Sequence, residues 1–223
     1  RGLSAASRLE RVQREVCTRA VSLGSFSEAQ AVLDPALLAE VFGQLSREVC
    51  VVPATDAARQ RPWLIQDGSL FAALPRMYWA FWRRQGPTQC QVRLHFSLDL
   101  AHAAPARAVI TPGKVCERAA WRTQWQRGDG YIGDHYYGED YRLLGELDAA
   151  GVAFVVRLCD PAVLTVLEEL PLTEADRQAK VTRSAWVTLG CKARYRSIRL
   201  RVVWVQTDKE VLRLVTNLGP EEL

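Results

Sequence analysis

The stretch that decides the fold is PWLIQDG, residues 62–68, an apolar run that ends in an acid and a glycine. It predicts a β-strand with Asp67 at its C-terminal end. Two further strands are predicted directly after it. QCQVRLHFSLDL, at 89–100, alternates apolar and polar side chains for much of its length, and ARAVIT, at 106–111, stops at a Pro-Gly pair. Three strands in succession with short connections predict an antiparallel meander.

Helices and strands alternate downstream of the meander. The predicted elements are, in order, a helix over about 115–126, a strand at 131–134, a helix over about 138–150, a buried strand at 153–158, a helix after Pro161, and strands at 198–205 and 211–215. This order predicts a mixed sheet with helices packed on it.

The first 52 residues predict a small helical region that precedes the sheet. Leu9, Val12, Val16 and Ala20 recur at helical spacing, a second helix is predicted from about residue 25, and Asp34-Pro35 opens a third. Three short helices suit either a DNA-binding module or a packing module.

Composition sets the class of the chain. Of 223 residues, 48% are hydrophobic and 24% are charged, which excludes wholesale disorder. No apolar run approaches the roughly 20 residues of a bilayer span. The start has no initiator Met and no apolar signal core, so we expect a piece cut from a longer chain. The six cysteines form no CxxC pair, which favours free thiols in a reducing cytoplasm over a disulfide framework.

The net charge of +4 matters less than its distribution. Residues 177–207, called the basic segment below, hold eight Lys and Arg residues and no acid. Such a segment is typical of a surface that faces a polyanion such as DNA. A solvated basic face without a partner is the alternative interpretation.

Two acids are candidate metal ligands because each ends a predicted strand beside a glycine. Asp67 precedes Gly68, and Asp134 follows Gly133. Two carboxylates that share a cleft repel each other unless a cation lies between them, and Mg²⁺ prefers sparse carboxylate ligation completed by water and phosphate oxygens. Turn formation is the alternative role for both acids. Asp129, in a Gly-Asp-Gly turn, is the best rival of Asp134.

Several segments, in order, resemble the DDE transposases of bacterial insertion sequences, and most closely those of insertion-sequence family four. The resemblance covers about residues 63–218. The segments that carry it are DGSLF at 67–71 with LPRM at 74–77 and WA at 79–80, RLH at 93–95, GK at 113–114, CER at 116–118, IGDHYYG at 132–138, FVVRL at 154–158 and LVTNL at 214–218.

The resemblance implies a ribonuclease H-like α/β fold, a mixed sheet flanked by helices with a β-rich insertion. The division that follows is a helical region at 1–52, the first part of the catalytic core at 53–160, the basic β-rich insertion at 161–210, and the last core strand at 211–223. The third catalytic acid of the family belongs to a Tyr-x-x-Arg-x-x-x-Glu helix, which is expected beyond Leu223. His135 and Tyr136 stand where relatives often have Arg and Gly, which predicts a different local turn.

The function that the resemblance implies is DNA transposition. Asp67 and Asp134 are expected to hold Mg²⁺, with Mn²⁺ as a substitute, for phosphodiester hydrolysis and strand transfer at mobile-element ends, while residues 1–223 alone are expected to be nearly inactive. The expected partners are DNA and a second copy of the chain, in a bacterial cytoplasm at the nucleoid. The alternatives are a non-catalytic DNA-binding derivative and another ribonuclease H-like nuclease.

Further residues are assigned supporting and DNA-binding roles. His135 could contact phosphate or the outer shell of the metal, and Tyr137 could support the site through its hydroxyl. His95 is expected to be a partly buried polar neighbour. The predicted phosphate contacts are Arg76, Arg157, Lys192, Arg194, Arg196 and Arg199.

Overall fold

The computed structural model describes residues 22, 35–49, 61–72, 91–192 and 198–222. The chain divides into two units, Arg1–Leu45 and Ser46–Leu223. Helix α1, Pro35–Val49, begins at the proline that the sequence marks as its start. The other two predicted N-terminal helices lie outside the described residues.

The second unit is built on one nine-stranded sheet with the order β3-β2-β1-β4-β5-β9-β8-β7-β6. The strands are β1 (Trp63–Ala72), β2 (Gln91–Asp99), β3 (Ala104–Pro112), β4 (Gly130–Gly133), β5 (Ala153–Arg157), β6 (Leu164–Glu169), β7 (Val181–Leu189), β8 (Leu200–Gln206) and β9 (Val211–Thr216). The three strands that lie within residues 161–210 join the same sheet as the meander.

The predicted meander is confirmed, because β1 pairs antiparallel with β2 and β2 antiparallel with β3. The next two strands run in the same direction as β1, since β4 is parallel to β1 and β5 is parallel to β4. Strand β9 returns antiparallel to β5. The molecule is therefore a ribonuclease H-like mixed α/β sheet, as predicted.

Short helices pack on this sheet and complete the core. They are α2 (Glu117–Trp121), α3 (His135–Gly138), α4 (Tyr141–Ala149) and α5 (Glu174–Gln178), followed by a 3₁₀ turn at Pro220–Glu222. Trp121 of α2 and Tyr137 of α3 are buried and meet edge to face, with ring centroids 4.6 Å apart. Leu144 of α4 and Phe154 of β5 are fully buried in the same cluster. The core thus fixes the loops at the carboxyl ends of β4 and β5.

Three predicted helices differ from the structure. The helix predicted over 115–126 is α2 alone, five residues long, because turns follow Trp121. The helix predicted over 138–150 is α4 and begins only at Tyr141, because the Asp140 carboxylate accepts a hydrogen bond from the Leu143 N–H (3.1 Å) and caps it there. The chain after Pro161 forms β6 rather than a helix, because it pairs with β7.

No helix within the described ranges is long and apolar enough to cross a membrane.

Candidate active site

Two neighbouring parallel strands bring the candidate acids together. The register of β1 and β4 sets Trp63 opposite Gly130 and Ile65 opposite Ile132. Continued by two residues, the same register sets Asp67 opposite Asp134. Residues that are opposite on neighbouring strands lie about 4.8 Å apart in the sheet and share a face. The continued register therefore brings both acids to the carboxyl end of the β1–β4 pair, and the charges of both act on one neighbouring acid, Glu117.

A basic residue extends this arrangement onto a third strand. Gly133 of β4 is opposite Val156 of β5, so the register continued by one residue sets Asp134 opposite Arg157. Val156 is buried in the core, and Arg157, next along the strand, belongs to the other face of the sheet. We call Asp67, Asp134 and Arg157 the strand-end row.

Asp67 lies within its strand rather than at the strand's end, which corrects the sequence prediction. Strand β1 continues to Ala72 because its antiparallel partner β2 pairs with it along the whole length. The parallel pairing with β4, however, stops at Ile65. Asp67 is exposed, and its Oδ1 accepts a hydrogen bond from the Gly68 N–H at 2.7 Å.

Asp134 is positioned by the start of a helix. Its side chain caps α3 by accepting a hydrogen bond from the Tyr136 N–H at 3.0 Å. The side chain remains 58% exposed, and its Oδ2 lies 3.9 Å from Nδ1 of His135. One carboxylate oxygen is thus occupied by the backbone while the other faces solvent and the histidine.

Glu117, at the start of α2, is a third acid beside the pair. Burial raises the pKa of its carboxyl, the Arg93 charge opposes this rise, and the charges of Asp67 and Asp134 raise the pKa further. Glu117 forms an ion pair with Arg93, and a side chain at Gly68 would collide with it, since a Cβ there would lie 2.6 Å from Glu117 Cδ. The sequence assigned Glu117 no role in the site, and a helix-opening acid by itself gives no such signal.

Tyr137 and His135 lie next to these acids, where the sequence predicted supporting residues. The Tyr137 ring is buried and its hydroxyl donates to Glu117 Oε2 at 3.5 Å. Burial, followed by the charges of Glu117, Asp134 and Asp67, strongly raises the pKa of Tyr137, so the hydroxyl keeps its proton. His135 is exposed at the mouth of an open cleft.

The rival acids serve structural roles elsewhere. Asp129 is buried at the opposite end of β4, where its Oδ2 accepts hydrogen bonds from Arg107 (2.7 Å) and from the Tyr131 hydroxyl (3.1 Å). Asp99 ends β2 as a turn residue, and its Oδ1 accepts from the Ala101 N–H at 2.8 Å. His95 is buried and hydrogen-bonded to Thr111 (2.8 Å). Its surroundings agree with the polar, non-ligand role predicted for it.

The basic segment is less positive in the structure than in the sequence. Its cations pair with carboxylates from outside the segment: Arg177 with Glu174, Lys180 with Asp208, Arg183 with Glu169, Arg199 with Glu168, and Arg201 with Asp176. Arg201 is also buried. The absence of acids within residues 177–207 therefore does not make each of these cations available to a polyanion.

The predicted phosphate contacts fall into three groups. Arg157 donates to both carboxylate oxygens of Glu210, at 3.1 and 3.2 Å, and Arg199 is held by Glu168 over the Trp186 ring. Lys192 is exposed in the turn after β7. Arg76, Arg194 and Arg196 lie outside the described residues.

The side chains of the strand-end row suit a divalent metal of the Mg²⁺ class in their donor chemistry. Exposed carboxylates in register are hard oxygen ligands, and their combined charge already raises the pKa of a neighbouring acid. Within the described ranges, no group of three or more His, Cys, Asp or Glu side chains is arranged to hold a metal ion.

Comparison with known proteins gives two structural similarities. No protein-family model matches the chain, and no curated protein is significantly similar to it. One similar solved structure is a piggyBac transposase synaptic complex with hairpin DNA, at 11% identity and a TM-score of 0.44, covering 97% of this chain and 48% of that one. Another is an endonuclease V from Bacillus subtilis, at 10% identity and a TM-score of 0.35, covering 86% of this chain and 80% of that one.

The chain thus spans about half of the length of the transposase chain that it resembles. At these identities and TM-scores, neither similarity says anything about activity. Membership of insertion-sequence family four stays a prediction from the sequence segments.

Proposed function

We propose that the chain is part of a DNA-processing enzyme that cleaves and transfers phosphodiester bonds with a divalent metal, as a DDE transposase does. The observation that carries the proposal is that the charges of Asp67 and Asp134 both act on Glu117 and Tyr137, which agrees with the β1–β4 register continued two residues beyond its last pair.

Asp67 and Asp134 are the residues that would hold the metal. Mg²⁺ bound there would align and activate a water or a 3′-hydroxyl for in-line attack on phosphorus. The protein contributes orientation: the Gly68 N–H fixes one oxygen of Asp67 and the Tyr136 N–H fixes one oxygen of Asp134. Each carboxylate then has its second oxygen available as a ligand.

The surrounding groups hold the third acid, Glu117, and compensate its charge. The buried Tyr137 hydroxyl donates to Glu117, while Arg93 neutralises Glu117. The local negative charge therefore remains concentrated on Asp67 and Asp134, the two exposed acids. Phosphoryl transfer mainly requires positioning and charge neutralisation, which this arrangement supplies.

A strand-nicking assay on the protein, with Mg²⁺ or Mn²⁺, tests the proposal. We expect Asp67→Asn and Asp134→Asn each to reduce the rate by about a thousandfold or more, since each removes a ligand from the same ion. Asp208→Asn, which changes an exposed acid of the insertion, is the matched control and should retain the rate.

Retention of nicking by either Asp variant of the parent would contradict the proposal. Metal-dependent DNA binding without nicking by the parent protein would instead assign the chain to the non-catalytic DNA-binding alternative.

A further inference from the structure

An open cleft of about 310 Å³ adjoins the strand-end row on the side of Asp134. It lies at the carboxyl ends of β4 and β5, the edge at which open α/β sheets generally bind their ligands. Its lining consists of His135, Arg157, Leu158, Cys159, Asp160 and Pro161. A volume near 300 Å³ is at the small end of ligand sites and accommodates one nucleotide rather than a duplex.

The floor of the cleft is held rigid by an arginine of β9. Arg213 donates hydrogen bonds to the carbonyl oxygens of Cys159 (2.6 Å) and Ala162 (3.4 Å), and also to that of Asp160. The backbone of the loop after β5 is thereby tied to the sheet. Helix α3 packs tightly against the end of β5, since a Cβ at Gly138 would lie 2.1 Å from the Arg157 carbonyl oxygen. The cleft is therefore preformed.

Arg157, one of the residues that line the cleft, already binds an anionic group. Its guanidinium holds both carboxylate oxygens of Glu210, from the loop before β9, and the two side chains are 37% and 48% exposed. A phosphate presents its oxygens to an arginine in a similar way. The strand-end register also places Arg157 one strand beyond Asp134, about 4.8 Å away in the sheet.

We propose that this cleft binds the nucleotide next to the scissile phosphate of a DNA strand, and that its phosphate takes the place of Glu210 on Arg157. His135 stands at the mouth, where its imidazole can donate to the same phosphate or to the sugar. Leu158, Cys159 and Pro161 supply an apolar wall for the sugar and base. The inference rests on the proposed function, because it identifies the scissile phosphate with the Asp67–Asp134 site.

Replacement of Glu210 by a DNA phosphate on Arg157 has a consequence that a purely structural ion pair would not have. If Glu210 competes with DNA for Arg157, removing the Glu210 charge must strengthen DNA binding. If the Arg157–Glu210 pair only stabilises the fold, Glu210→Gln leaves binding unchanged or weakens it.

The test is the affinity of residues 1–223 for a fluorescent single-stranded oligonucleotide, measured by anisotropy in EDTA so that no metal takes part. We expect Glu210→Gln to tighten binding about fivefold and Arg157→Ala to weaken it about tenfold, the size of one charge-assisted hydrogen bond. In the double variant the gain from Glu210→Gln should vanish. Thermal melts establish that each variant is folded, and a gain in affinity cannot come from misfolding.

Glu169→Gln is the matched control, because Glu169 pairs with Arg183 in the same way but far along the sheet on β6. It should leave affinity within about twofold of the parent value. Equal tightening by Glu210→Gln and Glu169→Gln would overturn the inference, since it would indicate a general charge effect. An Arg157→Ala variant that binds normally would also overturn it.

The two proposals can fail separately. If Asp67→Asn abolishes nicking but Glu210→Gln has no effect on DNA binding, the nucleotide-cleft proposal is contradicted and the metal-site proposal is supported. If Glu210→Gln gains DNA affinity only when Arg157 is present, and Asp67→Asn nicks DNA normally, the nucleotide-cleft proposal is supported and the metal-site proposal is contradicted.

Discussion

The strand-end row and the basic segment differ in how their charges are compensated. The two acids of the row lie next to each other and are exposed, and their charges raise the pKa of Glu117. In the basic segment, cations such as Arg183 and Arg199 are paired with carboxylates of β6. The sequence indicated both regions, the two acids as candidate metal ligands and the segment as a candidate polyanion surface, but it did not show which charges are compensated. Charge composition along a chain thus says less about a binding surface than strand register does.

The largest loss of stability is expected from replacing Arg201, which belongs to the basic segment but is buried in the protein. Arg201 is buried, donates to the Ser184 hydroxyl at 2.9 Å and lies 3.7 Å from the Asp176 carboxylate. We expect Arg201→Ala to lower the free energy of unfolding by about 2–4 kcal/mol, since it leaves buried polar partners unsatisfied. Urea denaturation measures this loss.

Arg199→Ala is the control, because Arg199 is half exposed and pairs on the surface with Glu168. It should change the free energy of unfolding by less than about 1 kcal/mol. Equal losses for Arg199→Ala and Arg201→Ala would show that the segment is not divided into buried and surface cations.

Gly138 tests how rigidly the strand-end row is built. An alanine Cβ there would lie 2.1 Å from the Arg157 carbonyl oxygen and 3.0 Å from its carbon, so α3 must move away from β5. We expect Gly138→Ala to lower the free energy of unfolding by about 1–3 kcal/mol. Gly43→Ala in α1 is the control, because no atom lies within 4 Å of its Cβ position, and it should not destabilise the protein.

The salt dependence of DNA binding sharpens the comparison within the basic segment. Neutralising Lys192, Arg194 and Arg196 together should lower the slope of log K against log salt by up to about 3 if each of them contacts a phosphate as the sequence predicts. Neutralising Arg183 and Arg199, which are already paired with Glu169 and Glu168, should change it by less than about 1. A larger decrease in the slope on neutralising Arg183 and Arg199 than on neutralising Lys192, Arg194 and Arg196 would contradict this division of the basic segment. It would indicate that paired and unpaired cations contact DNA alike.

The smallest expected effect concerns His95 of β2. Burial, and then the Arg93 charge, lower the pKa of His95, so the folded state binds a proton less readily than the unfolded state. The protein should therefore lose stability as pH falls below about 6.5, the ordinary histidine value. His95→Gln should flatten the dependence of unfolding free energy between pH 7 and pH 5, by about 1 kcal/mol or less.

Thr111→Val is the matched control for His95, since it removes the hydrogen bond to the imidazole without removing the titrating group. It should keep the pH slope of the parent chain. A His95→Gln variant with an unchanged slope would mean that this histidine does not contribute to acid destabilisation.

Local sequence patterns predicted the meander and the strand that precedes Asp134, because alternation and glycine-bounded apolar runs are short-range signals. They missed β6, although Leu164 to Leu167 is an apolar run bounded by Pro161 and Pro171. They also placed Asp67 at a strand end. The strand continues because β2 pairs with it, and pairing partners are not visible in one segment.

The site was predicted only in part, for the same reason. The two acids could be selected from strand-end glycines and from the family resemblance. Glu117 and Glu210 could not, because each acts on its partner from far along the chain: Arg93 is 24 residues from Glu117, and Arg157 is 53 from Glu210. The ion pairs between the basic segment and acids outside it were not predicted either, because the fold brings these residues together.

Mn²⁺ binding tests most directly whether Asp67 and Asp134 act as one site. Residues 1–223 are titrated with Mn²⁺, and the free ion is measured by electron paramagnetic resonance for the parent chain and for Asp67→Asn, Asp134→Asn and Asp208→Asn. We predict that each of the first two variants weakens binding at least about tenfold, since each removes one ligand of the same ion, while Asp208→Asn binds as the parent does. Equal Mn²⁺ affinity in the parent chain and in either row variant would contradict a shared metal site.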